Sequence, residues 1–247
     1  MSGQRSGGGQ GDRGRAERGR NDRPPRRGSI TSGDGRDSDL PGWVRDEIAR
    51  VTAKERREPT MRLLSDAAHS YSAGKYPQAL PKLLEAKKLS SRTATIRELL
   101  GLTLYHTGQW DRALQELRTF RRLSGETTHM AEEMDCLRAL DRPGDVEKTW
   151  QLLRELGGDA ATKSEARVVY ASHLLDLGRA KDAWKVIGPK RIEKQPSEAA
   201  AREWFVAARA ANALGDGGTA RQLVAGITRF DPDYPGLAEL TDEVGTS

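Results

Sequence analysis

Apolar side chains recur at helical spacing along residues 60–233, in runs interrupted by glycine. Leu63, Ala67, Ser70 and Tyr71 form one run, Gly74-Lys75-Tyr76 breaks it, and Ala79, Leu80, Leu83 and Ala86 form the next. Two such stripes around a glycine predict a helical hairpin, because glycine takes the left-handed backbone that closes a helix without a side-chain clash. The pattern returns as Leu100-Gly101, Leu104, Tyr105, Gly108-Gln109-Trp110, Ala113 and Leu117. It returns again in weaker form as Met130, Met134, Leu137 and Leu140, then Gly144, Val146, Trp150, Leu153 and Leu156. A fourth copy runs from Val168 through Leu174, Gly178, Ala183 and Trp184 to Ile187, where Gly188-Pro189 ends the helix. A fifth holds Trp204, Ala208, Ala211, Gly215, Ala220, Val224, Ile227 and Asp231-Pro232.

The expected turn glycines are thus Gly74, Gly108, Gly144, Gly178 and Gly215, spaced by 34, 36, 34 and 37 residues. In this reading Arg142-Pro143 lengthens the third turn. A fixed period near 34 residues predicts an all-α solenoid with no sheet and about twelve helices. The divisions are a tail over 1–40, an amphipathic helix over 41–58, and an array over 59–233. Its hairpins are near 60–92, 93–126, 127–160, 161–196 and 197–233. A capping helix and tail fill 234–247. Small Gly101 and Ala113 mark the closest crossing of the second hairpin.

The order of residues resembles the tetratricopeptide repeat, over roughly 60–233. Gly101, Ala113, Ala183, Ala208, Ala220 and Pro232 fall on that family's small and proline positions, and Trp204 on its tryptophan position; Thr149 replaces the central alanine of the third copy. The chain also resembles bacterial repeat proteins with basic tails and no assigned activity. The resemblance implies a right-handed solenoid of about five hairpins with flanking capping helices, a protein-interaction scaffold with a concave groove that takes a peptide or helix. Carried over by position, that groove would include Leu64, Ala68, Tyr71, Glu98, Leu102, Tyr105, Met134, Arg138, Asp141, Val168, Ser172, Leu175, Phe205, Arg209 and Asn212. The expected lining is largely apolar, with Arg138 and Arg209 as basic exceptions. Family members that clamp acidic C-termini carry Lys, Asn and Arg where Leu64, Ala68, Glu98 and Leu102 stand, so an apolar peptide or helix is the expected occupant. Packing of Leu64, Ala68 and Leu102 against the 41–58 helix is the alternative.

Composition separates the tail from the array. Residues 1–40 carry ten glycines and nine arginines, no aromatic, and only Met1, Ala16, Ile30 and Leu40 as apolar side chains. That is too little apolar surface to offset the entropy of ordering, so the segment is expected to be disordered. Residues 1–30 hold eight arginines against Asp12, Glu17 and Asp22, a net +5 that equals the charge of the whole chain. The array is therefore neutral overall. Arg13, Arg15, Arg18, Arg20, Arg23, Arg26 and Arg27 form a candidate nucleic-acid tail whose Arg-Gly steps resemble RNA-binding segments, without their usual aromatics. RNA or ribosome association through residues 1–30 is the second functional reading; a soluble flexible extension is the simpler one.

Chemistry finds little support. Gly9-Gln10-Gly11-Asp12-Arg13-Gly14 matches a dinucleotide fingerprint, but no strand precedes it and no helix follows. His69, His106, His129 and His173 lack metal-ligand spacing and read as solvated or half-buried helix residues. Cys136 reads as a small core residue, and as a lone cysteine it fits a reducing cytosol. Trp110, Trp150, Trp184 and Trp204 read as core. The expectation is a cytoplasmic, non-enzymatic protein with no cofactor, no metal and no membrane span.

Overall fold

The computed structural model describes residues 40–245. The tail ahead of them, with its seven candidate arginines, and the last two residues lie outside the described part. Among the described residues there are twelve helices and no strand. They are α1 (Gly42–Val51), α2 (Lys54–Ser72), α3 (Tyr76–Leu89), α4 (Ala94–His106), α5 (Trp110–Ser124), α6 (Met130–Ala139), α7 (Pro143–Leu156), α8 (Ala160–Asp176), α9 (Ala180–Ile187), α10 (Glu198–Ala213), α11 (Gly217–Phe230) and α12 (Leu237–Gly245). The hairpins are α2–α3, α4–α5, α6–α7, α8–α9 and α10–α11. Each packs on the next, while α1 covers α2 at one end and α12 covers α10 and α11 at the other. A terminal hairpin has one face without a neighbour, and α1 and α12 bury it.

The five turns share one backbone solution. In each, a residue at positive φ donates its N–H three residues back, and its successor donates five back. Gly74, Gly108, Gly178 and Gly215 hold four of these positions. The third is held by Asp141, at φ 53°, and not by Gly144, which lies inside α7. Asp141 N–H bonds to Arg138 O at 3.0 Å and Arg142 N–H to Leu137 O at 2.9 Å, matching the other four turns. Arg142-Pro143 therefore does not lengthen the turn. Pro143 opens α7, where its missing N–H costs nothing, and aspartate is among the few side chains that enter the left-handed region.

The single helix expected over 41–58 is two. The backbone is extended at Thr52 and Ala53, and residues 54–58 begin α2. The break lets α1 fold back and tie itself to the second hairpin. The Glu47 carboxylate, almost fully buried, accepts from Ala94 N–H at 2.7 Å and Thr95 Oγ1 at 2.5 Å, so it caps α4 from another helix. Leu64 and Ala68 are buried in the same cluster as Val44 and Ile48, so these two serve the core and do not line a groove.

The core runs unbroken through the array. Trp204 is buried and fits against Gly226, where an added Cβ would lie 2.5 Å from its Cζ3. Trp110, Trp150 and Trp184 are only half-buried and pack on the core from its edge, Trp150 stacking on Tyr170 at 4.6 Å. Cys136 is buried, and burial, with Asp135 beside it, pushes its thiol up to about 12. His173 is buried as well, not solvated. Burial lowers its pKa and its Nε2 has no hydrogen-bond partner, so it stands as a neutral ring.

Candidate functional site

Alternate helices α2, α4, α6, α8 and α10 contribute to one open cavity of about 860 Å³. The helical period explains the selection: one face of each first helix is buried against its hairpin partner, and the opposite face is left to line a common space. Its first wall is aromatic. Tyr76 and His106 stack at 4.3 Å, and Tyr71 meets both edge-on while its hydroxyl bonds to His106 Nε2 at 3.1 Å. Tyr105 packs edge-to-face on Trp110 and donates its hydroxyl to Asp135 Oδ2 at 2.7 Å. Burial first, then that aspartate, raises the Tyr105 pKa; burial, followed by Tyr76, pushes Tyr71 up to about 12. Both phenols are neutral at physiological pH, and that of Tyr105 is a donor.

The rest of the lining mixes carboxylates with Leu99, Leu102, Ala131 and Val169. Glu98, Glu126, Glu132, Asp135 and Glu165 face the cavity, with Arg202 as the one guanidinium among its lining residues. Arg202 pairs with Glu165 at 2.7 Å. Between α4 and α6 lies His129, its Nε2 2.9 Å from Glu98 Oε1 and its Nδ1 3.3 Å from Glu132 Oε1. Burial opposes a charge on this ring, but the two carboxylates outweigh it and push its pKa up to about 10. The other oxygen of Glu132, Oε2, is buried without a hydrogen-bond partner.

His129 makes stability depend on pH in a defined direction. A pKa raised from 6.5 means that its contribution is complete below about 6.5 and is lost as pH rises toward 10. The loss is expected at up to about 1.4 kcal/mol per pH unit. Urea unfolding from pH 6 to 10 checks this against His129→Gln, which should show a flatter profile. Superimposable profiles would show that the imidazolium contributes nothing.

The expected groove residues divide. Tyr71, Glu98, Leu102 and Tyr105 line the cavity. Met134 is fully buried in the core. Arg138 lies outside the cavity lining, held by Asp135 and Asp176 at 2.7 Å each. Phe205 packs against Tyr234 and beneath Gly236, covered by the C-terminal segment. Arg209 is exposed but does not line the cavity. The lining keeps apolar Leu99, Leu102, Ala131 and Val169, and adds carboxylates and aromatic rings that the expectation did not include. One slip explains most of the third hairpin: counting back ten and six residues from Gly144 gives Met134 and Arg138, whereas counting from Asp141 gives Ala131 and Asp135, which do line the cavity. Tyr76, His106, His129, Glu132, Glu165 and Arg202 were missed. Glu165 and Arg202 both stand thirteen residues before their turn glycines, a repeat-equivalent offset that would have paired them.

Among the described residues no helix is long and apolar enough to cross a membrane. No protein-family model and no curated protein matches the chain. The chain is a helical-repeat protein built of stacked α-hairpins around an acidic, tyrosine-walled cavity.

Proposed function

We propose that the protein is a cytoplasmic, non-enzymatic scaffold of the tetratricopeptide type, with the right-handed solenoid that the type implies. Its cavity binds an extended, arginine- or lysine-bearing segment of a protein partner. The observation that carries this reading is the convergence of five carboxylates and three tyrosines on one open space. Carboxylates accept charge-assisted bonds from guanidinium, and tyrosine faces stack on it. This replaces the apolar peptide expected from sequence.

Fluorescence polarisation of a labelled (Gly-Arg)6 peptide with the full chain tests the reading. The double variant Glu132→Gln, Glu165→Gln removes two wall charges and is expected to bind about tenfold more weakly, a loss of about 1.4 kcal/mol. Equal affinity in both chains would remove the cavity as the site. The second reading, RNA held by the arginines of residues 1–30, rests on Arg13-Gly14-Arg15 and Arg18-Gly19-Arg20. An oligouridine in the same assay should then show a salt slope no steeper than about −6, taking −0.7 per phosphate for eight arginines. No retention even at low salt would eliminate it.

A further inference from the structure

We propose that, with no partner present, the cavity is occupied by the chain's own arginine-rich segment, residues 13–27, folded back in cis. The inference rests on the acidic-cavity reading above and adds the occupant. Charge is the first argument. Five carboxylates line the cavity against Arg202, the His129 imidazolium and Arg138, which reaches Asp135 from outside the lining, while the positive charge of the chain is concentrated in its first thirty residues. The array is neutral overall, so this wall is a local concentration of negative sign.

Composition is the second argument. Residues 13–27 carry seven arginines, with glycine at 14 and 19 and no bulky apolar side chain. Such a segment can bring guanidinium groups to Tyr71, Tyr76 and Tyr105 and to the buried, unpartnered Oε2 of Glu132 without a matching apolar pocket.

Connection is the third. Leu40, the first described residue, shares a shallow recess with Met61 and Ser65 of α2. Ser72, which lines the cavity, lies seven residues further along the same helix, on the same face and about 10 Å away. Arg27 is thirteen residues before Leu40, and a chain of that length spans up to about 45 Å when extended. Tethering at this range gives a local concentration on the order of millimolar, so even a weak contact is populated.

A nitroxide on Ser29→Cys in the full chain tests the inference by paramagnetic broadening. The buried Cys136 thiol is left unlabelled at neutral pH. Amide signals of Glu98, Leu102 and Asp135 are expected to broaden at low salt while those of α11 do not. Replacing Arg13, Arg15, Arg18, Arg20, Arg23, Arg26 and Arg27 by Gln should abolish that broadening. The same seven-fold variant should bind the labelled (Gly-Arg)6 peptide about tenfold more tightly, because the internal competitor is gone. Absent or uniform broadening, with the peptide bound equally by both chains, would overturn the tail as occupant and leave the acidic-cavity reading standing. Peptide binding to neither chain would end both. Broadening in a mixture of spin-labelled and isotope-labelled chains would assign the contact to a second copy and overturn the cis arrangement.

Discussion

Glu116→Ala is expected to remove about 3–5 kcal/mol of stability, the range for breaking a buried ion pair from one side. Glu116, on α5, is nearly fully buried and receives Lys87 Nζ from α3 and Arg97 Nη1 from α4, both at 2.6 Å. One carboxylate thus joins three helices of two adjacent hairpins. Alanine leaves Arg97, whose side chain is 13 % exposed, facing an emptied space. Arg97 retains its bonds to Ser91 O, and Lys87 reaches solvent, which places the effect toward the lower end. The pair Glu116→Leu with Arg97→Met removes both charges and should recover most of the loss. Urea unfolding of the three variants checks this; a single variant within about 0.5 kcal/mol of the native chain, as for an ordinary surface change, would show that the charge cluster is dispensable.

Gly101→Leu should cost about 3 kcal/mol, at the upper end for overpacked cores. A Cβ at residue 101 would stand 2.7 Å from Leu117 Cδ2, 2.8 Å from its Cγ and 3.2 Å from its backbone nitrogen. Leu117 is fully buried, so its side chain has no free volume to move into. The backbone contact means that even a rotated Leu117 leaves α4 and α5 too close. For a domain of this size the cost corresponds to a fall in melting temperature of about 6–12 °C. Gly101→Ala sets helix propensity, about 1 kcal/mol in its favour, against a smaller clash, and so should lie between the two. Combining Gly101→Leu with Leu117→Ala should restore part of the loss. A Gly101→Leu chain that melts with the native one would refute the close crossing.

The hairpins were legible because each rests on two local signals, apolar residues at helical spacing and a residue able to adopt positive φ. Where the second signal was carried by Asp141, a nearby glycine captured the assignment and moved the register by three residues. Three residues is most of a helical turn, enough to exchange Ala131 for the buried Met134 and Asp135 for Arg138. Where α1 ends was not legible, because Thr52 and Ala53 leave the helix for tertiary reasons: Thr52 Oγ1 bonds to Ser90 Oγ at 2.6 Å, thirty-eight residues away. The sign of the cavity was hidden for a related reason. Its five carboxylates come from four segments, α4, the α5–α6 connection, α6 and α8, whose net charge is balanced elsewhere, so no window of the sequence displays them together. Phe205 and Arg209 occupy groove positions by count, but they belong to the α10–α11 hairpin, which α12 covers, and the segment leading into α12 closes over Phe205.

Helix α9 has eight residues, where α3, α7 and α11 have fourteen each. The junction it leaves is held in part by polar stitches: Arg202 to Glu165 at 2.7 Å, Arg167 to Glu203 at 3.2 Å, and Ser164 to Glu203 at 2.7 Å. The Glu116 and Glu133 pairs of the first junctions have a buried carboxylate and are screened little, whereas the Arg202–Glu165 pair is partly exposed and weakens as salt screens it. Salt therefore acts on the α8–α10 end of the cavity, where the side chains of Arg202 and Glu165 are 56 % and 39 % exposed, and weakens the link that holds this guanidinium in the wall.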